Sequence, residues 1–254
     1  MTSQDANYNY KKKQEKEAFG ADGRFQAIKN NWKLVIFLGW TIITFLLILS
    51  GDAQSFFAGI GVLISALSTL IFWIFRTKLP FKGKEEKSTI RWKYIFLGSM
   101  GAFWVELEFW ILEKLTGVRL AADSNLIINM VVMMPWYVAM IATLWYVSNK
   151  YEYSYFEILL LGGIYDFCAD GIIGSLFSGQ FSLGTLLLLI IIFPQFVLCY
   201  SFMVIPATYY LKIQEFEIHT KKNFNKYIWA LLPLIVLFIW TLSINIYSGI
   251  ILTI

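Results

Sequence analysis

Carboxylates set in apolar sequence are the residues best placed to do chemistry in this chain. Asp166 and Asp170 fall within an apolar run from Tyr155 to Phe177, among Gly162, Gly163, Gly171 and Gly174. On a helix, Gly162, Asp166, Asp170 and Gly174 recur every four residues and share one face. Glu106 and Glu108 occupy a second apolar stretch, where Gly98, Ala102 and Glu106 repeat the small-small-acid spacing. A carboxylate in hydrocarbon costs about 2.5–3.5 kcal/mol unless neutralised, paired or facing a polar cavity, so such residues point to function.

Three functions suit acids of this kind. A proton- or cation-coupled transporter would use them to exchange a proton or monovalent cation. An intramembrane enzyme would use a neutral carboxylic acid to protonate a lipid or isoprenoid, with aromatic faces stabilising the developing cation. A structural or partner-binding subunit would offer them to a basic residue of another membrane subunit. Transport is the first of these readings. Its substrate- or ion-binding set is Glu106, Glu108, Asp166, Asp170, Gln195 and Asn129, with Gly98, Gly162, Gly163 and Gly174 as helix-packing positions.

The elements that must hold these residues are membrane helices. Of 254 residues, 58% are hydrophobic and 15% charged, and long apolar runs recur from Trp32 onward, which no soluble core needs. The expected fold is all-α: a polytopic seven-helix transmembrane bundle over residues 32–254, preceded by a cytoplasmic polar tail at 1–31. The helices are expected at Trp32–Ser50, Ser55–Phe75, Lys93–Leu115, Leu126–Ser148, Tyr155–Phe177, Leu183–Leu211 and Tyr227–Leu252. No cleavable leader is expected, because the first thirty residues lack a short apolar core, so the first helix serves as its own targeting signal.

Basic residues orient the bundle. Among 21 lysines and arginines, only Lys114 and Arg119 fall outside the tail and the alternate connections on its side. The N-terminus is therefore expected in the cytoplasm and the C-terminus outside, in the cell membrane. The +4 net charge belongs to these membrane-flanking segments, so membrane lipids are expected partners and nucleic acid is not. No lysine, arginine or histidine sits deep in a helix, since the lone His219 falls in the sixth connection, so the buried acids lack a buried basic partner.

Counting 1.5 Å per residue puts Glu106 and Asp166 roughly 16–20 Å from the inner boundary, on two helices running the same way. They are expected to meet, with the small residues of the third and fifth helices bringing those backbones together. Glu108 points nearly opposite to Glu106. Pro135-Trp136-Tyr137-Val138 matches Pro194-Gln195-Phe196-Val197 in the following helices, which suggests that helices three and four are a copy of five and six. Asn129, Gln195 and Asn245 are candidates to extend the polar network.

Several membrane chemistries are excluded by residue type. One histidine rules out HExxH, and there is no Gly-x-Ser-x-Gly nucleophile, no phosphate loop and no lysine beyond Tyr227 for a retinal. Cys168 and Cys199 have no metal-type spacing, so neither a metal nor a cofactor is expected. Asp166-x3-Asp170 resembles the aspartate pairs of membrane enzymes acting on isoprenoids, prenyltransferases and carotenoid hydratases among them. It departs from them in lacking an asparagine-aspartate partner and in having Gly171 where the hydratase pattern has proline.

Overall fold

The protein is seen here in a computed structural model that describes residues 32–81, 85–177, 179, 181–214 and 225–252. The polar tail at 1–31, His219 and the side chain of Asn245 lie outside them. The chain divides into a unit ending at Ile43 and a unit beginning at Thr44. Within the first, the described residues begin helix α1 (Trp32–Leu49), where Trp32, Val35, Ile36, Ile42 and Ile43 all carry exposed apolar surface.

The regular structure of the second unit is all helix among its described residues, and several of its helices begin where polar side chains can cap them. Helix α2 (Ala53–Phe75) starts after Asp52, which accepts from Ser55 N at 2.8 Å, and runs on into a 3-10 turn at Arg76–Lys78. Helix α3 (Lys87–Thr116) stops at Gly117, whose φ of 71° is the left-handed conformation that glycine adopts without strain. Helix α4 (Leu126–Ser148) is capped by Asn125. Helix α5 (Tyr155–Asp166) opens with a reciprocal Ser154–Glu157 capping box.

Beyond Asp166 the regular pattern fails. Residues Phe167–Ile173 form a π-helix, followed by a one-turn helix α6 (Gly174–Phe177). The next span is three pieces, α7 (Leu183–Ile191), α8 (Phe193–Cys199) and α9 (Ser201–Ile213), and the last two meet at 56°. Then come α10 (Asn225–Ala230) and α11 (Leu232–Leu252).

Prolines stand at two of these breaks, Ile192 and Leu231. Pro194 cannot donate to Ile190, so α7 ends at Ile191 and Pro194 falls in the first turn of α8, where a missing N–H costs nothing. Pro206 leaves the Phe202 carbonyl without its helical donor, yet α9 continues through it. Pro233 stands in the first turn of α11, just after the break at Leu231. Pro135, like Pro206, sits inside an unbroken helix, here α4.

Among the described residues four helices are long and apolar enough to cross a membrane, α1 to α4, and a fifth span is counted if bent α8–α9 is one crossing. The uninterrupted fifth, sixth and seventh helices read from the sequence are therefore broken elements. The expected meeting of the third and fifth helices is replaced by another arrangement. Helix α9 packs against both α3 and α5, and α8 against α5 and α2. The broken segment packs on Gly101 of α3 and on Gly162 and Gly163 of α5.

Close approach at those small residues is direct. A Cβ at Gly101 would lie 2.6 Å from Phe202 O, the carbonyl that Pro206 leaves without its helical donor. A Cβ at Gly163 would lie 2.9 Å from Val197 Cα. Gly162 faces Val204, and Gly98 faces the side chain of Ile141 on α4. The surroundings of Gly174 lie outside the described residues. Toward the ends of α2 and α9 that carry Arg76 and Lys212, the interior is filled by Tyr94, Met140, Leu144, Ile158, Tyr165 and Met203, all buried.

Candidate functional site

Glu106 leaves α3 toward α4 and is buried. Asn129 Nδ2 donates to its Oε2 at 2.8 Å, and the Tyr137 hydroxyl donates to its Oε1 at 2.6 Å. Both carboxylate oxygens thus have a donor. Asn129 is itself fixed, because its Oδ1 accepts from Asp123 N at 3.2 Å. The Tyr200 hydroxyl, at the α8–α9 bend, donates to Tyr137 at 3.0 Å. A hydrogen-bonded chain therefore runs from the α3–α4 connection through Asn129, Glu106 and Tyr137 to Tyr200.

Glu108 is also buried, on the other side of α3, where the Ser65 hydroxyl of α2 donates to it. The two glutamates serve different interfaces, and the half-turn between them is the reason.

Asp166 and Asp170 bracket the start of the π segment. The two carboxyls and the Cys199 thiol border one cavity, so each carboxyl lies in the other's field. Asp166 is fully enclosed. Asp170 keeps exposed surface and lines two cavities.

One cavity, ≈ 260 Å³, is bounded by Asp166, Asp170, Gln195 and Cys199 with apolar walls from Ile48, Val62 and Phe196. The other, ≈ 300 Å³, is bounded by Glu106, Tyr137, Tyr200 and the connection residues Leu120–Ala122. Asp170, Cys199 and Phe109 line both. Gln195 is buried, with its Nε2 donating to Thr44 Oγ1 at 2.8 Å.

Of the six candidate polar residues, the structure gathers Glu106, Asn129, Asp166, Asp170 and Gln195 around these cavities and places Glu108 at the α2 interface. The nearest acid to Asp166 is Asp170 rather than Glu106, whose oxygens are already occupied. Tyr137, Tyr200 and Cys199 belong to the cluster although their types gave no polar signal in an apolar run. The proline-aromatic pattern was the one pointer to Tyr137. Thr44 and Ser65 had no pointer, since single hydroxyls are common in membrane helices.

The ion pairs among the described residues, Lys93–Glu85 and Lys226–Glu157, involve none of these acids. Among those residues no three His, Cys, Asp or Glu are placed to share a metal ion. No protein-family model, curated protein or solved structure matches the chain. Its own helices make it a multi-span membrane protein with buried glutamates.

Proposed function

We propose that this protein is a proton- or cation-coupled transporter for a small solute, with the Asp166–Asp170 pair as its ion site. The observation that carries the reading is the position of Asp170, beside a second carboxyl and in the wall shared by two cavities. Two unit charges 4 Å apart repel by about 4 kcal/mol at an effective dielectric of 20. The pair therefore holds one proton or one cation, and exchanging one for the other is the elementary step of coupling. Glu106, fixed by Asn129 and Tyr137, faces the second cavity and would steer the cation toward Asp170. The π segment and the 56° bend put irregular backbone beside the site, where broken helices of transporters flex.

In this reading the chain crosses the cell membrane seven times, with its N-terminus in the cytoplasm. Both cavities then lie toward the outside, and the packed tyrosines and aliphatics of the inner half form the closed gate. After replacement of Cys168 and Cys199, a cysteine at Lys114 should label from outside and one at Lys87 only from inside.

The functional test is ion movement by the full chain in liposomes loaded with a pH-sensitive dye, under imposed proton, sodium or potassium gradients. The parent should move protons or sodium faster than protein-free vesicles, and Asp170→Asn should fall to the protein-free rate. A parent no faster than empty vesicles under every gradient would sink the proposal.

The mainly apolar walls of the Asp166 cavity favour a second reading, acid catalysis on an isoprenoid. That reading requires deuterium from heavy water to enter an unsaturated isoprenoid incubated with the protein, and no such incorporation in Asp166→Asn.

A further inference from the structure

The connection between α3 and α4, residues 117–125, separates two spaces. Leu120, Ala121 and Ala122 line the second cavity together with Glu106, Asp170 and Cys199. A further pocket, ≈ 350 Å³, lies among Glu113, Arg119, Asp123 and Ser124, whose side chains are charged or carry a hydroxyl. Ala122 belongs to the walls of both. At that point one residue stands between a polar pocket and the cavity.

The backbone there is irregular, so no helical ladder holds it. Side chains of its neighbours pin it instead. Glu113 Oε2 accepts from Leu120 N and from Ala121 N, each at 2.9 Å. Asn129 Oδ1 accepts from Asp123 N at 3.2 Å, and its Nδ2 donates to Glu106 Oε2 at 2.8 Å. That second tether is therefore anchored on the buried acid itself. Trp110 Nε1 donates to Ser124 O at 2.9 Å, and Gln54 Nε2 to Arg119 O at 3.2 Å. Gly117 leaves α3 in the left-handed conformation, with open space where a Cβ would stand.

Bonds of this kind exchange for water without unravelling the helices on either side. A segment held only by them is the part of a fold that opens locally. We propose that residues 117–125 form a gate over the second cavity, hinged at Gly117, latched by Glu113 and Asn129, and opening into the polar pocket. The gate rests on the transport reading for the identity of what passes. Access to the cavity is measured without ion flux, so either can fail while the other stands.

The test uses the full chain in detergent with Cys168→Ala, which leaves Cys199, in the wall of the second cavity, as the one thiol. Alkylation by N-ethylmaleimide is followed by intact mass, and deuterium uptake by the peptide that covers residues 117–125. The amides of Leu120, Ala121 and Asp123 should be protected in the parent. Glu113→Ala should speed exchange in that peptide by about tenfold, the order expected for losing hydrogen bonds to a charged group, and speed Cys199 alkylation by a similar factor. Glu113→Gln keeps an oxygen for the amides but loses the charge, and should give a smaller rise in both. Asn129→Ala should act in the same direction. Thr143→Ala, which loses only a bond to Ala139 O within α4, should change neither.

A parent whose residues 117–125 exchange as fast as an unstructured peptide has no closed gate, which overturns the proposal without any variant. Exchange left unchanged by both Glu113 variants overturns it as well, since the latch would not be a latch. So does faster exchange with unchanged alkylation, because the segment would move without controlling entry. Equal acceleration in Thr143→Ala would trace the change to general loosening of the fold and reject the gate.

Discussion

Helices α3 and α4 and the segment from α5 to α9 carry the same sequence pattern and use it in opposite ways. Each has a glycine eight residues before an acid, Gly98 to Glu106 and Gly162 to Asp170, followed by a helix with a proline-aromatic run. In the first region both helices stay continuous, α4 even through Pro135, and Glu106 finds donors for both oxygens. In the second, the acid-bearing helix widens into a π segment, the proline-bearing one breaks twice, and Asp170 faces cavities. An acid in a regular helix pair can be satisfied by side chains from the neighbour. Broken backbone moves those neighbours away and leaves space where they would have been.

The sharpest way to break this comparison is to delete one acid from each region. Glu106→Ala strands two buried donors, Asn129 Nδ2 and the Tyr137 hydroxyl, and should cost about 2–5 kcal/mol. Asp170→Ala removes a side chain that borders cavity and should cost less than about 1 kcal/mol. Melting of the two variants in detergent reads the difference. Equal losses would mean that Asp170 is a structural residue like Glu106, and the contrast between the regions would be gone.

Glycine substitutions come next in size. Gly101→Ala and Gly163→Ala drive a methyl into the backbones of Met203 and Val197, which cannot swing aside, and should cost about 1–3 kcal/mol each. Gly98→Ala meets only the side chain of Ile141, whose terminal atoms can rotate, and should cost less. If Gly98→Ala proves the most harmful, the tight packing belongs to the regular pair rather than to the broken segment.

The smallest effect concerns the contact that joins the regions. Glu85 accepts from Lys93 of α3 at 2.8 Å and from Tyr210 of α9 at 3.0 Å. The hydrogen bond from Lys93 holds its carboxyl below the ordinary glutamate range. Its folded-state value being depressed, the stabilisation is complete above the ordinary carboxylate range and is lost as pH falls through the lowered value. Glu85→Gln should therefore melt slightly below the parent at pH 7 and together with it once both are acidified past that point. A gap that widens on acidification would contradict the assignment. The pair is exposed, so screening by salt keeps the effect small.

Much was legible before any coordinates. The apolar runs identified α1, α2 and α4 to within two residues, because a helix in hydrocarbon must satisfy its own backbone and its length follows from the bilayer. Helix α3 instead begins at Lys87, six residues before the apolar run. Caps at Asp52, Asn125, Ser154 and Ser182 stand where short polar side chains interrupt apolar sequence. The acids drew notice by their cost in an apolar run. The breaks at Ile192, Tyr200 and Leu231 were less legible, since Pro135 shows that a proline does not by itself end a helix. Around Pro135 the neighbouring helix adds a donor to the same turn, Trp240 to Val132 O at 3.1 Å.

By itself, then, the sequence determined that the chain builds apolar helices with a few costly acids inside them. Both properties are local, set by the transfer cost of each side chain and by periodicity along one helix. Only the tertiary structure decided that Glu106 is held by Asn129 and Tyr137, that Asp166 lies beside Asp170, and that α9 separates α3 from α5. Those outcomes depend on which helix stands next to which and where each one bends. Contacts between helices in an apolar medium are chosen by shape, through pairs such as Gly101 with Phe202 and Gly163 with Val197, and shape complementarity between distant segments leaves no period in the sequence of either.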